Sequence, residues 1–193
     1  MGLLRAAVWG SPIAHSLSPV LHRAAYDALG LADWTYDRRL VDETGFAAAL
    51  AELDNSWRGL SLTMPLKEVA LAAAVSASDR ALVTGSANTL VPRAEGWYAD
   101  NTDVPGLVAA LVGDIAAVGG ELRSDVPNAV RADTDPVVVL GAGATARSAL
   151  AAVHQLGARR VVLQCRTLHP RTAQTAEALG LALDVAPLGE WPG

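Results

Sequence analysis

Residues 137–156 limit what this chain can fold into more than any other stretch. Val137-Val138-Val139-Leu140 is a continuous apolar run, and Gly141-Ala142-Gly143-Ala144-Thr145-Ala146 leads from it into a helix-forming segment lasting to about Leu156. A strand passing through G-x-G-x-x-A into a helix opens a dinucleotide-binding βαβ unit. Its first glycine allows the tight turn, its second lets the backbone approach a pyrophosphate, and its last small residue lets the helix pack closely. The spacing makes Gly141, Ala142, Gly143, Ala144, Thr145 and Ala146 candidate cofactor-binding residues and commits 137–193 to a partial Rossmann-type domain. A strand is expected over Arg160–Gln164, a helix over Thr172–Leu179 and another strand over Leu183–Ala186. A cofactor with a free ribose 2′-hydroxyl calls for an acidic residue after the second strand. Cys165-Arg166-Thr167 stands there instead, with Arg171 nearby. Cations and a hydroxyl suit a 2′-phosphate, which favours NADP over NAD and adds Arg166, Thr167 and Arg171 to the cofactor-binding candidates.

The N-terminal part alternates strand and helix. Leu3 to Trp9 reads as a buried strand, Val20 to Leu29 as a helix that Ser18 is placed to cap, and Asp33 to Val41 as a strand burying Trp34, Tyr36 and Leu40. A helix over Thr44–Leu53, a strand over Gly59–Thr63 and a helix over Leu66–Ala74 with Pro65 at its first position follow. Such alternation implies parallel pairing through right-handed crossovers. Beyond it, Thr89 to Pro92 and Gly96 to Asp100 read as two antiparallel strands around a turn at Arg93 to Gly96, delivering Asn88 and Asp103 to one rim. Residues 113–136 lose apolar periodicity and collect glycine, proline and acids, so they are expected to link a first domain, 1–112, to a second, 137–193. The fold class expected is a two-domain α/β protein with a mostly parallel first sheet.

Lys67 is the one lysine among 15 lysines and arginines, and so the only long basic side chain able to exchange protons near neutrality. It falls in the first turn of its helix, where a cation opposes the helix dipole and stability alone would not select it. Ser16, with Ser18, lies at the C-terminal edge of a strand, where open α/β sheets bind ligands. Asp103 precedes Val104-Pro105 and is also suited to capping a helix there.

A net charge of −5 argues against a general nucleic-acid binder, and small solutes are the expected partners. No apolar run approaches the roughly 18 residues of a membrane span, and no leader-like segment opens the chain. One cysteine permits no internal disulfide, which fits a reducing cytoplasm. The four histidines show no metal-ligand spacing, so no metal is expected.

Five segments, in order, resemble the shikimate dehydrogenase family: 10–19 (GSPIAHSLSP), 62–67 (LTMPLK), 85–89 (GSANT), Asn101-Thr102-Asp103 and the glycine loop at Gly141. The resemblance implies reversible NADP-dependent reduction of 3-dehydroshikimate to shikimate, on the way to chorismate and the aromatic amino acids. It implies that Ser16, Ser18, Thr63, Lys67, Asn88 and Asp103 hold the substrate, that Lys67 and Asp103 form the catalytic pair, and that Arg166 and Thr167 clamp the 2′-phosphate; a homodimer is compatible with it. Cys165 stands where the family often has asparagine, Arg171 lies one place beyond the usual second arginine, and Asp100 replaces a common glycine. The sequence stops at Trp191-Pro192-Gly193, before the nicotinamide-side wall expected of the family. Two other readings therefore stay open: a quinate/shikimate dehydrogenase using NAD, and a shortened homologue that holds ligand without catalysis.

Overall fold

The structure of the protein is a computed structural model and describes residues 2–117 and 136–189. The chain divides into two compact units, Met1–Ala81 with Ser86–Asp100, and Leu82–Gly85 with Asn101–Gly193.

The first unit contains β1 (Leu4–Gly10), α1 (Ser18–Ala28), β2 (Trp34–Leu40), α2 (Phe46–Ala51), β3 (Trp57–Leu62), α3 (Lys67–Ala73), β4 (Ser76–Ala77), the start of α4 (Asp79–Thr84), β5 (Thr89–Arg93) and β6 (Gly96–Asp100). Its sheet runs β2-β1-β3-β5-β6-β4. β1 is parallel to β2 and β3, whereas β5 is antiparallel to β3 and β6. Burial of both faces explains why β1 is apolar from Ala6 onward, after the exposed Arg5. Ala7 and Trp9 join Phe46, Leu60, Leu62, Leu66 and Ala70 in one core, while Val8 joins Ile13 and Tyr36 in another. Trp9 anchors the larger core, edge-on to Phe46 at 6.1 Å and to Trp57 at 6.3 Å. Aromatic pairs in this arrangement add about 0.5 to 1.5 kcal/mol beyond area burial.

The second unit contains α5 (Asp103–Ala117), β7 (Val137–Leu140), α6 (Ala144–Gln155), β8 (Arg160–Gln164), α7 (Pro170–Ala178) and β9 (Ala182–Ala186). Its three parallel strands run β7-β8-β9. Residues Val161 to Gln164 of β8 are all buried, as a central parallel strand requires. Val104 of α5 packs on Ala151 and Ala152 of α6, small residues that let the two helices approach.

Several expectations need correction. Leu40 is 68% exposed, because its partner in β1 is Gly10, the last residue of that strand. Ser18 is the first residue of α1 and not its cap; Leu17 holds the cap position without a side-chain bond. Pro65 precedes α3 by two residues, and α2 is shorter than expected. β4 and α4 were not foreseen, being too short for periodicity to show. The division between units falls at Asp100/Asn101 and not in 113–136: residues 113–117 are helical and α5 packs on α6. The rest of the expected linker, 118–135, lies outside the described residues. No helix among the described residues is long and apolar enough to cross a membrane.

Candidate functional site

In the first unit the site is built where β1 and β3 end side by side. Thr63 N–H donates to the Trp9 carbonyl at 3.0 Å, and Ser11 N–H donates to the Met64 carbonyl at 2.9 Å. A Cβ on Gly10 would stand 2.4 Å from Thr63 Cγ2 and 2.8 Å from the Met64 carbonyl oxygen, so this approach requires glycine. Asn88 is fixed to the same edge: its carbonyl accepts from Leu62 N–H at 2.7 Å and its own N–H donates to the Asp100 carbonyl at 3.0 Å. Its side-chain Oδ1 accepts from the Thr89 hydroxyl at 2.9 Å. Lys67 is the first residue of α3, and its carbonyl accepts from Ala87 N–H at 2.7 Å. Backbone bonds alone thus bring Thr63, Lys67 and Asn88, all half-buried, to one strand edge.

Ser16 belongs to the loop leaving β1, and Arg38 of β2 holds that loop. Its guanidinium donates to the Ser16 carbonyl at 3.3 Å and also to the Ala14 carbonyl. Beneath lies a cluster that the sequence did not single out. The Tyr36 phenol donates to Ser61 Oγ at 2.7 Å. His22 stacks on Tyr36 with ring centroids 3.8 Å apart and donates through Nδ1 to the Ser18 carbonyl at 2.8 Å. Burial pushes the Tyr36 phenol above its ordinary pKa of 10.0, with the bond to Ser61 acting in the opposite direction.

In the second unit Gly141 adopts φ +99°, a left-handed conformation suited to glycine, and its N–H donates to the Gln164 carbonyl at 2.8 Å. A Cβ on Gly141 or Gly143 would meet nothing within 4 Å, so the space above the loop is open. That space faces the N-terminus of the 12-residue α6, where backbone N–H groups and the helix dipole favour an anion. Ala144 is half-buried and Thr145 exposed, while Ala146 is buried with Val139 and Leu150, the small-residue contact the fingerprint requires. A cavity of about 520 Å³ opens over the loop, and Cys165, Arg166, Thr167 and His169 line it. Arg171 does not. It lines a separate cavity of about 270 Å³ with Thr84, Gly85 and Thr175. α7 starts at Pro170, which places Arg171 one residue into the helix, while His169, just before it, lines the cavity over the glycine loop.

Asp103 opens α5, and its N–H donates to Asn101 Oδ1 at 3.2 Å. Asn101 is itself buried and donates from Nδ2 to Ser148 Oγ at 3.0 Å and to Thr84 Oγ1 at 2.9 Å. Buried Arg147 donates from Nε to the Thr84 carbonyl at 2.6 Å. Lys67 belongs to the first unit and Asp103 to the second. No group of three or more histidine, cysteine, aspartate or glutamate side chains among the described residues is arranged to hold a metal.

Residues 8–90 match the family model described as the shikimate dehydrogenase substrate binding domain. Over 175 residues the chain is 42% identical to a shikimate dehydrogenase (NADP(+)) of Caulobacter vibrioides, covering 90% of this chain and 56% of that protein. Residues 8–90 belong to the shikimate dehydrogenase substrate binding domain family. A crystal structure of Mycobacterium tuberculosis shikimate dehydrogenase superimposes with a TM-score of 0.75 at 37% identity, covering 95% of this chain and 64% of that one. A shikimate dehydrogenase of Thermus thermophilus, solved in complex with NADP(H) and shikimate, gives a TM-score of 0.75 at 34% identity, with 94% and 62% covered. The chain therefore spans between half and two thirds of these shikimate dehydrogenases.

Sequence reasoning missed Arg38, Ser61, Asn101 and His169. Arg38 shares a face of β2 with Tyr36 by the period of two, but it is exposed, and only the fold shows that it reaches the Ala14 and Ser16 carbonyls. Asn101 gave no signal, since its partners lie 17 and 47 residues away.

Proposed function

We propose that this chain carries the substrate site and the dinucleotide loop of an NADP-dependent shikimate dehydrogenase, which interconverts 3-dehydroshikimate and shikimate in aromatic amino acid biosynthesis. The observation that carries the proposal is the gathering of Thr63, Lys67 and Asn88 at the joint C-terminal ends of β1 and β3. Ser16, Ser18, Thr63 and Asn88 then bind the substrate's hydroxyl and carboxylate groups. Reduction of the ketone places negative charge on its oxygen. The Lys67 ammonium stabilises that charge and gives the oxygen a proton, and the reverse reaction returns the proton to the amine. Asp103 is the second member of the acid-base pair, and the proton's passage is assigned to the pair and not to one residue.

The open space above Gly141 and Gly143 fits a pyrophosphate, and Arg166 with Thr167 on the same cavity fits a 2′-phosphate. NADP, when bound, supplies or accepts the hydride. The cytoplasm is the proposed compartment, supported by the single cysteine. Lys67→Ala is expected to lower turnover with shikimate by a factor of about 100 or more, as removal of a general acid-base group does. Near-normal turnover in that variant would overturn the assignment.

A further inference from the structure

We infer that His169, in place of Arg171, is the second recognition residue for the 2′-phosphate of the cofactor. This rests on the NADP reading and deepens it. Arg166, Thr167 and His169 line the cavity above the glycine loop, whereas Arg171 lines a different one, with its Nη1 3.5 Å from where a Cβ on Gly85 would stand. The His169 ring is set by the chain itself. It occupies the N-cap of the nine-residue α7, and its Nδ1 accepts the N–H of Arg171 at 3.2 Å. A ring nitrogen that accepts carries no proton, so this bond assigns the proton to Nε2. The cap also fixes the side chain before any ligand arrives, which reduces the ordering cost of a further bond. The cavity thus offers a 2′-phosphate a guanidinium, a hydroxyl and an imidazole N–H. A cofactor with a bare 2′-hydroxyl presents only one oxygen to the same three donors, so His169 contributes to choosing between the two cofactors and not only to holding one.

Calorimetric titration with adenosine 2′,5′-bisphosphate and with 5′-AMP tests this on the full chain without turnover. His169→Asn is the informative variant, because asparagine is a strong N-cap and keeps an acceptor for the Arg171 N–H while removing Nε2. It is expected to weaken bisphosphate binding about tenfold or more, the usual loss for a hydrogen bond to a charged group, and to leave 5′-AMP binding and the unfolding midpoint unchanged. His169→Ala should show the same loss of bisphosphate affinity. Arg171→Ala should show a smaller one. A bisphosphate preference that survives His169→Asn, or a larger loss in Arg171→Ala, would overturn the inference alone. A wild-type chain with no preference for the bisphosphate over 5′-AMP would overturn the NADP reading and this inference together.

Discussion

At Tyr36 a side chain 2% exposed carries a hydroxyl that reaches across β1 to Ser61, with the His22 ring stacked on its face. Tyr36→Phe removes the donor and leaves the half-buried Ser61 hydroxyl to find another partner, so it should cost about 1 kcal/mol in urea unfolding. The pH dependence has a definite sign. Burial raises the phenol's pKa in the folded state, so the folded chain holds the neutral form more tightly than the unfolded chain does. Its contribution is therefore complete below the ordinary value of 10.0 and is lost as pH rises through the folded value. Stability measured above pH about 10 should fall less steeply in Tyr36→Phe than in wild type. The sequence reveals Tyr36 as a buried-face residue through its period of two, but not its hydroxyl's partner. That partner is 25 residues away and two strands across the sheet, and only the register determines it. The same limit applied to Gly10, whose need to be glycine comes from Thr63 and Met64 beyond the end of a neighbouring strand.

Among the elements, the βαβ unit at β7, α6 and β8 was the most legible, because apolar run, glycine spacing and helix start all agree locally. Its two glycines should separate stability from binding. Gly141→Ala places a Cβ at φ +99° with open space around it, so its cost is backbone strain of about 1 to 2 kcal/mol, read as a lowered midpoint in thermal unfolding. Gly143 is at φ −90° and its Cβ would also meet open space. Gly143→Ala should leave unfolding within about 0.5 kcal/mol of wild type yet weaken adenosine 2′,5′-bisphosphate binding in calorimetry, since the methyl occupies the approach to the loop. The region of β4 and α4 was illegible for the opposite reason: two short elements whose order depends on tertiary bonds. Asp100 supplies them. It accepts from Arg80 Nε at 2.7 Å and from Ser78 Oγ at 2.6 Å, so the aspartate found where glycine is common ties the start of α4 to β6. Asp100→Gly should destabilise the chain by about 1 to 3 kcal/mol in urea unfolding, the upper end being limited by the partial exposure of Arg80.

For the whole molecule, the sequence points to two α/β units but places residues 101–112 in the first, whereas the structure groups them with the second. Loss of periodicity marks 113–136, whereas packing assigns α5 to the second unit through Val104, Ala151 and Ala152, contacts that composition does not reveal. The candidate site was legible where its residues cluster in short motifs, as at Thr63 and Lys67. Arg171, expected at the same site, is placed in α7 and lines a separate cavity. We propose that these motifs serve NADP-dependent shikimate dehydrogenase chemistry. The most direct test is one set of initial rates, with shikimate and quinate each measured against NADP and NAD. The highest kcat/KM is expected for shikimate with NADP; a higher value for quinate with NAD would contradict this function.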